Sequence, residues 1–165
     1  MPRIRPEQPA DIPAIDEVLT AAFPTREEAD LVKTLRKRGD LTISLVAEED
    51  GVVIGCIAFS PVTVNGNGGG LGLAPVAVVP DQQSMGYGAA LVREGLERAR
   101  QMNVPYVVVL GHSHYYPQFG FKRAKPLGFT NEYEADDAFM ILELQPGKLP
   151  NGGLVKYGAE FAAWS

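Results

Sequence analysis

"VAVVPDQQSMGYGAALVREGLERAR", residues 76–100, joins a β-branched run that stops at a proline to a long amphipathic pattern opened by two glycines one residue apart. The first part reads as a strand and the second as a helix. Ala89, Leu91, Val92, Gly95, Leu96, Ala99 and Met102 recur near a 3.6-residue period. Glycine weakens a helix, so Gly86 and Gly88 in its first turn need another reason. A helix start leaves its N–H groups unpaired, and the aligned peptide dipoles add roughly half a positive charge. Without Cβ atoms at Gly86 and Gly88, a bulky anion would reach those donors.

The pattern excludes two familiar phosphate binders. A dinucleotide fingerprint requires a third glycine at Leu91 and an acidic residue about twenty positions on, and a P-loop requires a Gly-Lys-Ser/Thr ending. None of these is present. What remains is Gln83-x-x-Gly86-x-Gly88, preceded by Val76-x-Val78-x-Pro80.

Working outward, residues 3–5 (RIR) form a short first strand. Asp11 is the expected N-cap of a helix from Ile12 to Phe23, and Thr25 with Glu28 forms a capping box for a second helix that Gly39 ends. Residues 41–64 read as two strands about an Asp50-Gly51 turn. The run Asn65–Gly70 is a second turn, leading into a third antiparallel strand at 71–79. Residues 104–111 are apolar enough for a covered strand, "SHYYPQFGF" is a brief turn or helix, and 138–144 is a last strand. The order βααβββαβαβ makes one mixed α/β (α+β) domain.

Composition narrows the function. The 165 residues suit one domain, and 20 Asp+Glu against 15 Lys+Arg supply no basic face for nucleic acid. No signal-peptide pattern or membrane-length apolar run occurs, so a cytoplasmic protein without a membrane partner is expected. The lone Cys56 lies in a strand run and reads as a buried packing residue.

The motif, its strand-to-helix setting and "YYPQFGF" downstream resemble the GNAT superfamily of N-acetyltransferases over about residues 3–145. The resemblance implies the GNAT acyltransferase fold, a mostly antiparallel mixed sheet flanked by helices with splayed central strands. It also implies acetyl-CoA as co-substrate, direct attack by a primary amine of a small molecule or peptide, and no metal. By the same resemblance Gln83, Ser84, Met85, Gly86, Tyr87 and Gly88 would hold the pyrophosphate, and Val76, Ala77 and Val78 would offer backbone to the pantetheine arm. Pro75, which has no N–H, suggests a bulge that helps this strand leave its neighbour.

Tyr116 fits the family's Tyr-x-x-x-Gly-Phe and is the candidate general acid for the leaving thiolate, with adjacent Tyr115 as the alternative. Val109 stands where many members carry asparagine, which keeps a non-catalytic CoA-binding module in view; a phosphate-binding domain of another kind is a third reading. His112 and His114 lack partners for a metal and read as loop residues at the cofactor mouth. Glu27 and Glu28 would border the acceptor pocket, but a solvated helix face is the preferred reading and no base is assigned. Residues 146–165, with Leu154, Tyr157, Phe161 and Trp164, form an extension expected to pack on the 1–145 domain or to join a homodimer contact.

Overall fold

Two tight turns organise the centre of the computed structural model, which describes residues 2–163. Asp50 (φ 51°) and Gly51 (φ 78°) connect β2, Ile43–Glu49, to β3, Val52–Val64. Asn65 (φ 50°) and Gly66 (φ 83°) connect β3 to β4, Asn67–Val78. Two consecutive positive φ values give the backbone twist that hairpins need, and Asn, Asp and Gly accept them most readily. The second turn is therefore shorter than the expected Asn65–Gly70. Gly70 already belongs to β4, and a Cβ there would collide with the ring of Tyr106, as one at Gly72 would with Tyr157. These glycines serve tertiary packing.

β1, Arg3–Pro6, lies on the outer edge of β2, and β5, Tyr106–Leu110, on the far side of β4. β6, Lys122–Arg123, β7, Phe129–Asn131, β8, Phe139–Glu143, and β9, Gly153–Tyr157, complete a nine-stranded sheet. Its main path is β1-β2-β3-β4-β5-β8-β6, antiparallel except between β4 and β5. Short strands β6, β7 and β9 were not expected, because runs of two to five residues beside Gly and Pro carry no readable alternation.

α1, Ile12–Ala22, and α2, Glu27–Arg38, cover one face, and α3, Tyr87–Gln101, covers the other. On α3 the closest approach is at Gly95, where a Cβ would strike the ring of Phe59. Leu91, Val92 and Leu96 pack there with Ile57, Leu71 and Leu73. The opposite face joins Ile15, Val18 and Leu19 to Ala29, Val32, Cys56 and Ala58.

Both expected N-caps take other roles. A 3-10 turn over Pro9–Asp11 leaves Asp11 in helical geometry at the head of α1, where its side chain makes no cap bond to that helix. Its carboxylate instead accepts from Arg5 Nη1 at 2.7 Å and from the Gln8 N–H at 2.7 Å. The Arg5 hydrogen bond, opposed by burial, holds this carboxyl below the usual range. Arg5 also bonds Glu48 at 2.7 Å, stapling β1 and the head of α1 to β2. In α2 the helix begins after Arg26, one residue later than a Thr25 cap requires; Thr25 Oγ1 accepts only the Glu27 N–H, at 3.3 Å, and Glu28 does not reach back. Gly39 ends α2 at φ 75°, as its position implies.

The segment after residue 145 is woven into the sheet. β9 pairs antiparallel with β3 at Val62–Val64 and parallel with β7, while Val155, Tyr157 and Phe161 join a core shared with Leu31, Leu35 and Val62. Trp164 lies outside the described residues. Each such side chain contributes about 1.5–3 kcal/mol of burial, against a total stability of about 5–15 kcal/mol. Deletion of residues 146–165 should therefore lower the thermal midpoint by many degrees or abolish the cooperative melt. An unchanged melt by circular dichroism would contradict this packing.

Candidate active site

The site begins where β4 gives up one of its neighbours. β4 pairs with β5 at Leu71–Leu73 against Val107–Val109 and then continues to Val78. On its other edge β4 stays paired with β3. Ile57 faces Val76 and Phe59 faces Leu73, so two steps along β3 match three along β4 and the extra residue falls at Ala74–Pro75. The bulge that Pro75 suggested is thus present, and the β5 side of Val76–Val78 opens onto a cavity of about 630 Å³.

One end of this cavity is the head of α3. Gly86 stands at the N-cap with φ 87°, and no side chain caps the helix. The first N–H taken up within the helix turn is that of Ala90, which donates to the Gly86 carbonyl at 3.0 Å. The amides of Tyr87, Gly88 and Ala89 precede it, and all three residues line the cavity. The two glycines have different causes. Nothing lies within 4 Å of a Cβ built at Gly86, so its left-handed backbone explains it. A Cβ at Gly88 would project between Tyr115 Oη, at 3.5 Å, and Val78 Cγ2, at 3.9 Å, narrowing the slot itself.

Two side chains fix the loop. Gln83 Nε2 donates to the Val78 carbonyl at 2.9 Å, tying the loop to the strand. The Tyr87 hydroxyl donates to Glu49 Oε2 at 2.8 Å, anchoring the helix head to β2. That bond, with burial, raises the Tyr87 pKa.

The other end is aromatic. A 3-10 turn over Tyr116–Phe119 follows β5, and Tyr116 is buried with its ring set edge-on to Tyr115 (5.1 Å between centroids) and Phe121 (5.7 Å). Burial, then the neighbouring Tyr115, pushes the Tyr116 hydroxyl up to about 12. Tyr115 is raised too, by burial, with Arg93 opposing. The structure thus brings Val76, Ala77, Val78, Gln83, Ser84, Gly86, Tyr87, Gly88 and Tyr116 to a single cavity. Met85 does not line it; its side chain stands 63% exposed at the loop tip.

Tyr115 and His112 also line the cavity, and His114 does not. Sequence reading missed Ala22 and Phe23 at the end of α1, along with Gln82 and Ala89. Only Ala89 had a signal, since it completes the helix's first turn; Phe23 is brought in by tertiary packing alone. Burial raises the Cys56 thiol to about 12, in keeping with an inert packing residue. Among the described residues, no three His, Cys, Asp or Glu side chains gather as a metal site, and no helix is long and apolar enough to cross a membrane.

An uncapped helix head and the free edge of a strand thus present backbone polar groups along one cavity. The chain belongs to the GNAT acetyltransferase family, whose model matches residues 12–121. It is 40% identical over 163 residues to the N-acetyltransferase YhbS of Escherichia coli K12, covering 96% of this chain and 97% of that one. The crystal structure of Escherichia coli YhbS in complex with CoA superposes with a TM-score of 0.94 at 36% identity, covering 99% of this chain and 93% of that one. A GNAT family acetyltransferase from Brucella melitensis, in complex with acetyl-CoA, gives 0.84 at 41% identity, with 98% of each chain covered. The protein is accordingly an acetyl-CoA-dependent acetyltransferase with the GNAT fold, a mostly antiparallel sheet whose central strands β4 and β5 splay.

The different roles of the two glycines can be separated. Gly88→Val should weaken CoA binding by more than about tenfold with the melting temperature nearly kept, because a branched side chain fills the slot. Gly86→Ala should act mainly on stability, by about 1 kcal/mol, through its positive φ. Calorimetry and thermal melts on both variants check this, and equal CoA affinity in Gly88→Val and wild type would contradict it.

Proposed function

We propose that the protein moves the acetyl group of acetyl-CoA to a primary amine of a small molecule or peptide, by direct attack in a ternary complex. The observation that carries this reading is the continuity of one cavity from the α3 head, along the open edge of Val76–Val78, to Tyr116. The pyrophosphate is assigned to the loop and helix head from Gln83 to Gly88, where unpaired amides and the helix dipole favour a diphosphate. Met85 takes part through its backbone only in this reading, since it is exposed and does not line the cavity. The pantetheine amides are assigned to the open edge of β4. Residues 146–165, through β9, serve as an integral part of the catalytic domain in this reading.

Acyl transfer needs a donor near the developing oxyanion and a proton for the departing thiolate. The backbone N–H near Val78 is assigned the first role. Tyr116 is assigned the second, because its raised pKa keeps it protonated until pH passes about 12 and its ring is held on two sides. Tyr115 is the weaker choice, as its hydroxyl lies beside Gly88 at the helix head.

Tyr116→Phe should reduce turnover by about 10²–10⁴-fold while CoA affinity stays within the same order of magnitude. Thiol release from acetyl-CoA over a panel of primary amines reads the first, and calorimetry the second. Wild-type turnover in Tyr116→Phe would remove the acid role, and absence of thiol release from wild type with every amine would remove the transferase reading itself.

A further inference from the structure

We propose that His112 is the proton acceptor for the attacking amine, a catalytic role that rests on the transferase reading above. The amine reaches the enzyme mostly as an ammonium ion, whose lone pair is blocked until a base removes a proton. Among the described residues that line the cavity, the titratable side chains are Tyr87, His112, Tyr115 and Tyr116. No carboxylate is among them. Glu49, tied to this wall through Tyr87, is engaged by the Tyr87 hydroxyl at 2.8 Å. The tyrosines serve as proton donors at neutral pH, and imidazole is the one side chain of the set that ordinarily accepts a proton there.

The backbone places His112 with care. Just before it, the Gly111 N–H donates to the Ala138 carbonyl at 2.9 Å, which fastens the end of β5 to the β8 side. The His112 carbonyl then accepts the N–H of Tyr115 at 3.0 Å and of Tyr116 at 3.4 Å. One turn of chain thus carries both the assigned acid and the assigned base, locked to each other by main-chain bonds. His114, two residues on, lies outside the cavity and serves as an internal control.

The step balances. The nitrogen of the ammonium gives up one proton to the His112 imidazole, and its freed pair forms the C–N bond as the C–S bond breaks. The thiolate takes the Tyr116 proton, and the second proton lost from nitrogen restores Tyr116 by way of solvent. His112 releases its proton to solvent, so one ammonium and one acetyl-CoA yield one amide, one thiol and one proton.

The test uses His112→Ala, His112→Gln and His114→Ala in the full chain, with thiol release over a primary-amine panel and calorimetry of CoA. Since His112 is exposed, its replacement leaves the core untouched. The expected result is a fall in turnover of about 10²–10⁴-fold for both His112 variants, CoA affinity of the same order as wild type, and near-normal turnover for His114→Ala. Added imidazole should restore part of the rate in His112→Ala, where space is left for it, and not in Tyr116→Phe. Normal turnover in His112→Ala, a lost rate that imidazole does not raise, or a loss confined to CoA affinity would each overturn the base role. Wild type that binds CoA yet acetylates no amine would instead overturn the transferase reading, and this step with it.

Discussion

The structure depends on backbone polar groups that the fold leaves unpaired at one place. Past Leu73, β4 keeps β3 and loses β5, and beyond the loop that follows β4, α3 starts without a capping side chain. At the helix head these groups are exposed or half-buried, so water can reach them, and the fold has to hold them in position. Here the hold comes from both sides. The long β3–β4 hairpin fixes one edge of the slot, and the core of Leu91, Val92 and Leu96 against Ile57, Leu71 and Leu73 pins α3 to the sheet. Gln83 and Tyr87 add two side-chain ties at the loop. In the proposed function, a ligand carrying a diphosphate and two amides would supply the partners and turn this open backbone into a binding device.

Much of this was legible because it is written in local conformation. Asp50-Gly51, Asn65-Gly66, Gly39 and Gly86 each mark a positive φ, and the sequence places them where turns, a helix end and a helix start occur. The slot-forming Pro75 bulge and the Tyr116 turn are likewise short-range features. Gly70 reads as a turn residue because its true neighbour, Tyr106, is distant in the chain. Asp11 and Thr25 looked like caps, yet the partner that claims Asp11 is Arg5, and a one-residue shift in the start of α2 dissolves the capping box. Phe23 reaches the cavity only through the packing of α1 on the sheet, for which no local pattern exists.

The aromatic turn links the two ends of the site chemically. Tyr115 bridges them: its ring packs on Tyr116 and Phe119, and its hydroxyl faces Gly88 across the slot. Arg93, in the second turn of α3, sits over the Phe119 ring at 5.2 Å and contacts Gln118, which donates back to the Tyr115 carbonyl at 2.9 Å. The helix whose head is assigned to the cofactor is thereby the same element that steadies the turn carrying the assigned proton donor.

The most direct examination of this view is a crystal structure of the protein with CoA. It should show diphosphate oxygens against the N–H groups that open the α3 helix, the arm lying along Val76–Val78, and the sulfur near Tyr116. A diphosphate seated elsewhere, or an arm that leaves the open edge of β4 untouched, would contradict it.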